Sequence, residues 1–162
     1  MAWGAKTYST AGSDEKIAFL QKMKLGTAIN YRKEAFEVVL KDEKIDVILD
    51  MVGGDYTQKN LGILNVGGRL IYINGMKRTD VNIDLRTIMS KNLVLTGSFL
   101  KPQTDAVKTR IASEVQQHIW PMFHAGKIHP VIYKTFPLAD VQDAHRLMES
   151  SSHIGKILLT MD

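Results

Sequence analysis

The 162-residue sequence contains no cysteine, which excludes disulfide bonds and thiolate metal sites. It also lacks any apolar run close to the roughly 20 residues that cross a bilayer, so no membrane partner is expected. The N-terminus does not resemble a signal peptide, because Lys6 and polar residues follow too soon. A protein without cysteine is compatible with a reducing compartment, and we expect a cytoplasmic location.

Charge is not concentrated in any segment of the chain. The 21 basic and 17 acidic residues give a formal net charge of +4. Scattered basic residues are typical of a solvated surface rather than of a nucleic-acid interface, so no nucleic-acid partner is expected. The five histidines show no metal-ligating spacing such as His-Glu-x-x-His, and no metal site is expected.

The sequence does contain a strong strand pattern between Ile45 and Gly54. Five of the six residues from Val47 to Val52 are apolar, with Asp50 as the exception, and two glycines follow. A short apolar run of this kind predicts a strand buried on both faces of a parallel sheet. Ligands of open α/β sheets bind outside the carboxyl ends of such strands, where glycine permits close approach to the backbone.

Strands and helices alternate on both sides of this segment, which predicts an α/β protein with a parallel sheet and right-handed crossovers. Strands are predicted at residues 6–11, 28–31, 45–52, 69–74, 93–96, 131–136 and 157–160, with helices between them. Ser13, Asp55 and Asp84 are predicted helix caps, and Gly67-Gly68 is predicted to end the helix that Asp55 begins.

The longest predicted helix runs from Thr104 to Ala125, with a kink at Pro121. Its apolar residues recur at helical spacing and are predicted to face the core rather than a partner. They are Val107, Ile111, Val115, Ile119 and Phe123.

Several motifs occur in an order and spacing that identify a family. They include Thr10-Ala11-Gly12-Ser13-Asp14-Glu15-Lys16, Ile29-Asn30-Tyr31-Arg32, Asp50-Met51-Val52-Gly53-Gly54, Asn65-Val66-Gly67-Gly68-Arg69-Leu70, Phe136-Pro137-Leu138 and His153-Ile154-Gly155-Lys156-Ile157. Together they resemble the C-terminal half of quinone oxidoreductases of the zeta-crystallin type, in the medium-chain dehydrogenase/reductase superfamily. The resemblance covers essentially the whole chain.

The resemblance implies a Rossmann-like doubly wound parallel sheet that is incomplete, because the first strand and its glycine-rich phosphate loop have no counterpart here. Residues 1–126 would form a partial NADP(H)-binding domain, and residues 127–162 would return to the catalytic domain of the whole protein. One hypothesis for the missing strand's place is that residues 157–160, of the same or a second chain, pair beside residues 6–11 or 45–52, because unpaired central strands are costly. The alternative, which we favour, is that the native protein contains the missing strand.

The expected cofactor is NADP(H). The strand tip at Gly12 lacks the acidic residue that holds the ribose in NAD-specific enzymes, while Ser13 and Lys16 suit a 2′-phosphate. The resemblance adds Tyr31 to this group. The alternative is that Ser13 only caps a helix and Lys16 is an ordinary surface residue, and the charge of Asp14 would oppose a phosphate.

Further cofactor contacts are expected at the ends of the next strands. These residues are Val52, Gly53, Asn74, Gly75 and Met76, and by resemblance Ser98, Phe99 and Leu100 through backbone groups. The alternatives are ordinary loop geometry for the glycines and a core or interface role for Phe99.

The resemblance implies direct hydride transfer from the nicotinamide to a quinone-like acceptor, without a catalytic acid, base or nucleophile in this chain. The isolated chain is expected to be inactive. A homodimer is expected through the edge strand from Leu93 to Phe99. The alternatives are another medium-chain reductase, such as an enoyl reductase or a zinc alcohol dehydrogenase, and a non-catalytic nucleotide-binding or dimerising module.

Overall fold

The computed structural model describes residues 3–161 and divides the chain into two compact units. The larger unit is Thr7–Lys108, and the smaller one contains residues 3–6 and 109–161. All candidate cofactor residues lie in the larger unit. Within the described residues, none of the helices is both long and apolar enough to cross a membrane.

The larger unit alternates strands and helices along the chain. In order, these are β1 (Tyr8–Ala11), α1 (Asp14–Lys22), β2 (Thr27–Asn30), α2 (Phe36–Val39), β3 (Ile45–Asp50), α3 (Tyr56–Ile63), β4 (Leu64–Tyr72), α4 (Leu85–Lys91) and β5 (Val94–Gly97). The helix α5 (Asp105–His118) begins in this unit and continues into the smaller one.

The strands of the larger unit form two separate parallel sheets. β1 pairs with β2, and β3, β4 and β5 form a second sheet in that order. The predicted parallel α/β fold is therefore confirmed, as is the absence of a strand joining β1 to β3 in the described part of the chain. β5 lies at the end of its sheet, as the sequence predicted.

The core of this unit lies between the helices and the strands. Leu61 of α3 and Leu70 of β4 are fully buried, and Ile29 of β2 is 1% exposed. The same apolar cluster also contains Phe36, Leu40, Ile45, Ile63, Leu64 and Leu93. The helices are held to the strands by burial of this cluster, which places the loops after the strands along the exposed rim.

The smaller unit contains a parallel strand pair. After α5 come α6 (Trp120–His124), β6 (Ile132–Pro137), a short 3₁₀ turn at Leu138–Asp140, α7 (Val141–Glu149) and β7 (Lys156–Thr160). β6 pairs with β7, and α7 connects them.

The hypothesis that residues 157–160 fill the missing strand's place is therefore wrong for this chain. Lys156 N donates to Val131 O at 2.7 Å, so β7 enters the ladder with β6 as soon as it begins. Pairing across a single crossover helix closes a much shorter loop than pairing with β1 or β3 would, and it costs less chain entropy.

The prediction that Gly67-Gly68 end a helix is wrong, because both glycines lie inside β4. α3 ends at Ile63 and β4 starts at the next residue. The register with β3 shifts between Ile45 and Val47, and Gly67 has a φ of +75°. The glycine pair therefore accommodates an irregularity in the strand, a role that glycine often takes in sheets.

Two further predictions about helices are corrected. Pro121 does not kink one long helix but stands in the first turn of α6, where its missing N–H is not needed. Ile111, Val115 and Phe123 are each about two fifths exposed, so the predicted core stripe is not buried. Helical periodicity identifies the apolar face of a helix but does not show that anything covers it.

Candidate functional site

The candidate site comprises the carboxyl end of β1 in one sheet and the carboxyl ends of β3, β4 and β5 in the other. Parallel strands end at the same edge of a sheet, so the loops after β3, β4 and β5 collect at one rim. The predicted residues fall into three groups: the tip of β1, the paired turns after β3 and β4, and the loop after β5.

At the tip of β1, the structure brings Ser13, Lys16 and Tyr31 together. Ser13 is the N-cap of α1, and its hydroxyl oxygen accepts a 3.3 Å bond from Lys16 N. Tyr31 N donates to Ala11 O and continues the ladder past β2. The Tyr31 hydroxyl lies directly against Gly12, where an added Cβ would overlap it. The Ser13 hydroxyl and the Tyr31 phenol thus lie at the end of one strand, and Lys16 follows in the first turn of α1.

The carboxylate of Asp14, in the same turn, is engaged by two donors. Asn30 Nδ2 donates to it at 2.8 Å, and Lys33 Nζ lies at 2.5 Å. The Lys33 hydrogen bond lowers the pKa of Asp14 below its ordinary value, with a further contribution from Asn30. Asp14 is therefore an ionised and compensated group, which weakens the objection that its charge would repel a phosphate.

Asp50, at the end of β3, orders the turn that contains Val52 and Gly53. Its Oδ1 accepts from Val52 N at 2.6 Å and from Gly53 N at 3.1 Å. Its Oδ2 accepts from Asn60 Nδ2 at 3.0 Å. Asp50 is only 3% exposed.

The loop after β4 runs alongside this turn. Ile73 N donates to Asp50 O, Met76 N to Met51 O and Lys77 N to Val52 O, at 2.8–3.0 Å. Asn74 closes its own turn by accepting from Gly75 N, and Met76 is 71% exposed. Gly53 has a φ of +66° and lies so close to Arg78 O that no side chain fits there.

The loop after β5 is more open. Ser98 N donates to Tyr72 O at 2.8 Å, so this amide is already engaged within the chain. Phe99 is 69% and Leu100 54% exposed. The predicted contact through the backbone of Ser98 would therefore have to use its carbonyl, while Phe99 and Leu100 offer apolar surface.

Burial raises the pKa of the Tyr56 phenol at the start of α3, and the Tyr31 phenol adds to that rise.

The donor set fits a dinucleotide with a phosphate at one end. Ser13, Lys16 and Tyr31 are donors suited to phosphate oxygens. The turn at Val52 and Gly53 has its amides engaged by Asp50, so it suits close van der Waals contact with a ring rather than anion binding. These assignments remain predictions.

A surface pocket of about 440 Å³ borders the same turn and includes none of the predicted cofactor residues. It is lined by Gly54, Asp55, Gln58, Arg78, Asp80, Val81 and Asn82. The prediction that the Asp55 side chain caps α3 is wrong, because the Asp55 backbone is already helical and its side chain makes no capping hydrogen bond. The carboxylate pairs with Lys77 at 2.9 Å instead. Arg78 pairs with Asp80 at 2.6 Å.

Asp50, Asn60 and Lys33 are not among the site residues that the sequence predicted. A single carboxylate inside the apolar strand at Asp50 was a usable signal, because a buried charge requires partners. The roles of Asn60 and Lys33 depend on contacts made only in the folded chain.

Residues 25–159 match the zinc-binding dehydrogenase family, and the chain belongs to this family. Despite that family name, residues 3–161 contain no cluster of three or more His, Asp or Glu side chains that could hold a metal ion. The residues described here therefore do not fit a zinc site.

The resemblance to the C-terminal half of quinone oxidoreductases is confirmed. A bovine (Bos taurus) quinone oxidoreductase-like protein 2 is 28% identical over an alignment of 164 positions that covers 97% of this chain and 46% of that protein. The chain thus spans about half the length of the curated quinone oxidoreductase relatives it matches.

Solved structures show the same correspondence. The quinone oxidoreductase of Thermus thermophilus, determined also in complex with NADPH, is 26% identical with a TM-score of 0.80, covering 99% of this chain and 51% of that one. The JamJ enoyl reductase is 26% identical, also with a TM-score of 0.80, covering 99% and 49%. The chain is thus a Rossmann-like nucleotide-binding region of an oxidoreductase family.

Proposed function

We propose that this chain is the cofactor-binding portion of an NADPH-dependent quinone oxidoreductase. The whole protein would transfer hydride from the nicotinamide to a quinone or a related carbonyl or enone acceptor. Residues 1–126 would belong to the nucleotide-binding domain, and residues 127–162 would return to the catalytic domain.

The main support for this proposal is the set of residues at the tip of β1. The Tyr31 hydroxyl lies against Gly12, Ser13 follows it, and Lys16 stands in the first turn of α1, while the acidic neighbour Asp14 is compensated by Asn30 and Lys33. An adenosine 2′-phosphate needs cationic and hydroxyl donors, whereas an unphosphorylated ribose is held by an acidic residue at this position. The similarity to a quinone oxidoreductase determined with NADPH supports the same choice.

The chemistry assigned to this chain is binding and orientation. Bound NADPH supplies the hydride, and the protein supplies position and electrostatic environment. Ser13, Lys16 and Tyr31 would hold the 2′-phosphate, while Val52, Gly53, Asn74, Gly75 and Met76 would border the rest of the cofactor. Ser98, Phe99 and Leu100 would cover the nicotinamide end and exclude water from it.

The test compares NADPH and NADH binding in the Lys16→Ala variant. Losing a charge-assisted contact costs roughly 1.5–3 kcal/mol, so the NADPH dissociation constant is expected to rise about tenfold or more, with little change for NADH. Titrations of the isotope-labelled full-length protein followed by NMR detect binding even at millimolar dissociation constants.

Lys22→Ala is the matched control, because Lys22 lies at the other end of α1. It is expected to leave both dissociation constants within about twofold of the wild type, since the two lysines are about two helical turns apart. Equal losses for NADPH and NADH in Lys16→Ala would contradict the assignment of the 2′-phosphate site.

An enoyl reductase is the second candidate, favoured by the equal TM-score to the JamJ enzyme. Both functions use the same nucleotide-binding region, so the acceptor decides between them. Comparing kcat/KM for a quinone and for an enoyl thioester, with the full-length protein and NADPH, would separate the two. A whole protein that binds the cofactor but reduces neither acceptor would favour a non-catalytic module or another reductase.

A further inference from the structure

Asp50 is a buried carboxylate with three hydrogen bonds, all of which act on the turn that follows it or on α3. It is 3% exposed and accepts from Val52 N, Gly53 N and Asn60 Nδ2. A buried carboxylate is tolerated only when such donors compensate it. The three bonds therefore tie the end of β3, the turn and the helix into one unit.

The turn itself has little freedom left. The carbonyls of Asp50, Met51 and Val52 accept from the loop after β4, and Gly53 O accepts from Tyr56 N. The amides of Val52 and Gly53 are held by Asp50. The position of this turn is thus set by backbone hydrogen bonds from the loop after β4 and by one side chain, that of Asp50.

Asn60 connects α3 to the same carboxylate. It is 4% exposed and lies three residues from Thr57, which is fully buried and accepts from Tyr72 Oη at 2.8 Å. Two polar bonds therefore join α3 to the strands. Only the Asn60 bond ends on the carboxylate that also holds the turn.

We propose that Asp50 is a positioning residue for the nicotinamide cofactor and acts through the turn at Val52 and Gly53. The inference rests on the proposed function, because it requires the cofactor to pack against this turn. Asp50 itself touches no ligand. It holds the turn in the shape that the cofactor meets, so the cofactor does not have to order it on binding.

The experiment uses the isotope-labelled full-length protein and three variants of it. Asp50→Ala removes all three acceptor bonds. Asp50→Asn keeps one side-chain oxygen for both amides, and its new amide can donate to Asn60 once that side chain rotates. Asp46→Ala is the matched control, because Asp46 lies on the same strand and also accepts from an asparagine, Asn65 at 2.8 Å, but in an exposed position.

Two quantities are measured for each variant: the hydrogen-exchange rates of the Val52 and Gly53 amides, and the NADPH dissociation constant. Asp50→Ala is expected to speed exchange at both amides and to raise the NADPH dissociation constant about tenfold. Asp50→Asn is expected to restore slow exchange and to bind NADPH within about threefold of the wild type, and Asp46→Ala to change neither quantity.

The outcomes separate the two proposals. Wild-type full-length protein that shows no NADPH-dependent shifts would refute the proposed function and the positioning role together. Wild-type binding with an unchanged dissociation constant in Asp50→Ala would refute the positioning role alone. If Asp50→Ala does not fold, Asp50→Leu decides, because it removes the acceptors and keeps the volume: faster amide exchange with weaker NADPH binding supports the role, and unchanged values for both overturn it.

A structural role alone is distinguished by Tyr72→Phe. This variant removes the hydrogen bond between Tyr72 of β4 and Thr57 of α3 and leaves the three bonds of Asp50 in place. It is expected to lower the thermal midpoint while leaving amide exchange at Val52 and Gly53 and the NADPH dissociation constant unchanged. The same loss of NADPH binding in Tyr72→Phe and Asp50→Ala would show that general packing, not Asp50, is responsible.

Discussion

Asp14 and Asp50 show how differently two carboxylates can be compensated in one candidate site. Asp50 is buried and held by backbone amides and an asparagine, whereas Asp14 is 68% exposed and paired with Lys33. Exposed pairs of this kind contribute little to stability, so we assign Asp14 and Lys33 a local electrostatic effect. The effect matters because it lies beside Ser13 and Lys16.

The Lys33→Gln variant tests this pair through the pKa of Asp14. Because the Lys33 hydrogen bond is the largest cause lowering that pKa, its loss is expected to raise the pKa of Asp14 towards the ordinary value of 3.8. A depressed carboxyl pKa gives stability that is present above the unfolded pKa and lost as pH falls through the folded one. The stabilisation from Asp14 should therefore disappear in acid below 3.8.

Carboxyl ¹³C shifts of Asp14, followed from neutral to acidic pH in the wild type and in Lys33→Gln, give both midpoints. Lys41→Gln is the control, because Lys41 pairs only with its sequence neighbour Asp42, at 3.9 Å. The Asp14 midpoint should not move in that variant. Coincident midpoints in wild type and Lys33→Gln would show that the ion pair does not form in solution.

At the scale of secondary structure, Lys91 joins α4 to the end of α3. Its Nζ donates to Leu61 O at 3.1 Å, Gly62 O at 2.6 Å and Leu64 O at 2.9 Å. The last carbonyls of a helix have no partners within it, and a cation there also complements the helix dipole. This contact explains how α3 can end at Ile63 and pass directly into β4 without a glycine stop.

Lys91→Met keeps most of the apolar stem and removes the donors. Bonds to a charged group are worth roughly 1.5–3 kcal/mol, so we expect the free energy of unfolding to fall by about that amount. Urea unfolding measures it, with Lys101→Met as the exposed control that should change the free energy by less than about 0.5 kcal/mol. Equal urea midpoints for the wild type and Lys91→Met would show that Lys91 does not stabilise the junction between α3 and β4.

At the scale of the whole molecule, each sheet of the larger unit ends in an edge strand that pairs with a neighbour on one side only. β5 is the last strand of its sheet, and Val94 on it is 50% exposed, with Phe99 beyond it 69% exposed. An exposed edge with apolar side chains is a template for pairing with a second chain. A two-fold interface formed by residues 93–99 of both chains would pair the free backbone groups of β5 and bury its exposed apolar side chains.

The dimer prediction is tested by light scattering. The wild type is expected to have twice the chain mass of 18.2 kDa, and Val94→Lys to remain at 18.2 kDa, because a lysine on an edge strand opposes pairing. Val38→Lys is the control, since Val38 is 62% exposed on α2 and not on the edge strand. A wild type that is monomeric at all concentrations would contradict the dimer.

Local sequence rules determined much of the fold. The alternation of strands and helices, the parallel class and the Ser13 and Asp84 caps follow from periodicity and from short-range chemistry, and each was confirmed. These features depend on residues a few positions apart, whose interactions are nearly the same in any fold. The candidate residues at the strand ends were also accessible from the sequence, because parallel strands carry their ligand loops at one edge.

Only the tertiary structure decided which polar groups meet. The Asn30–Asp14 bond joins residues 16 apart and the Lys91–Leu61 bond residues 30 apart, and neither has a local pattern. The same holds for Gly67-Gly68, which fill an irregular strand instead of ending a helix, and for β7, which pairs with β6. A glycine pair or a short apolar strand satisfies several local rules equally well, so the choice falls to the backbone partners that packing brings within hydrogen-bonding distance.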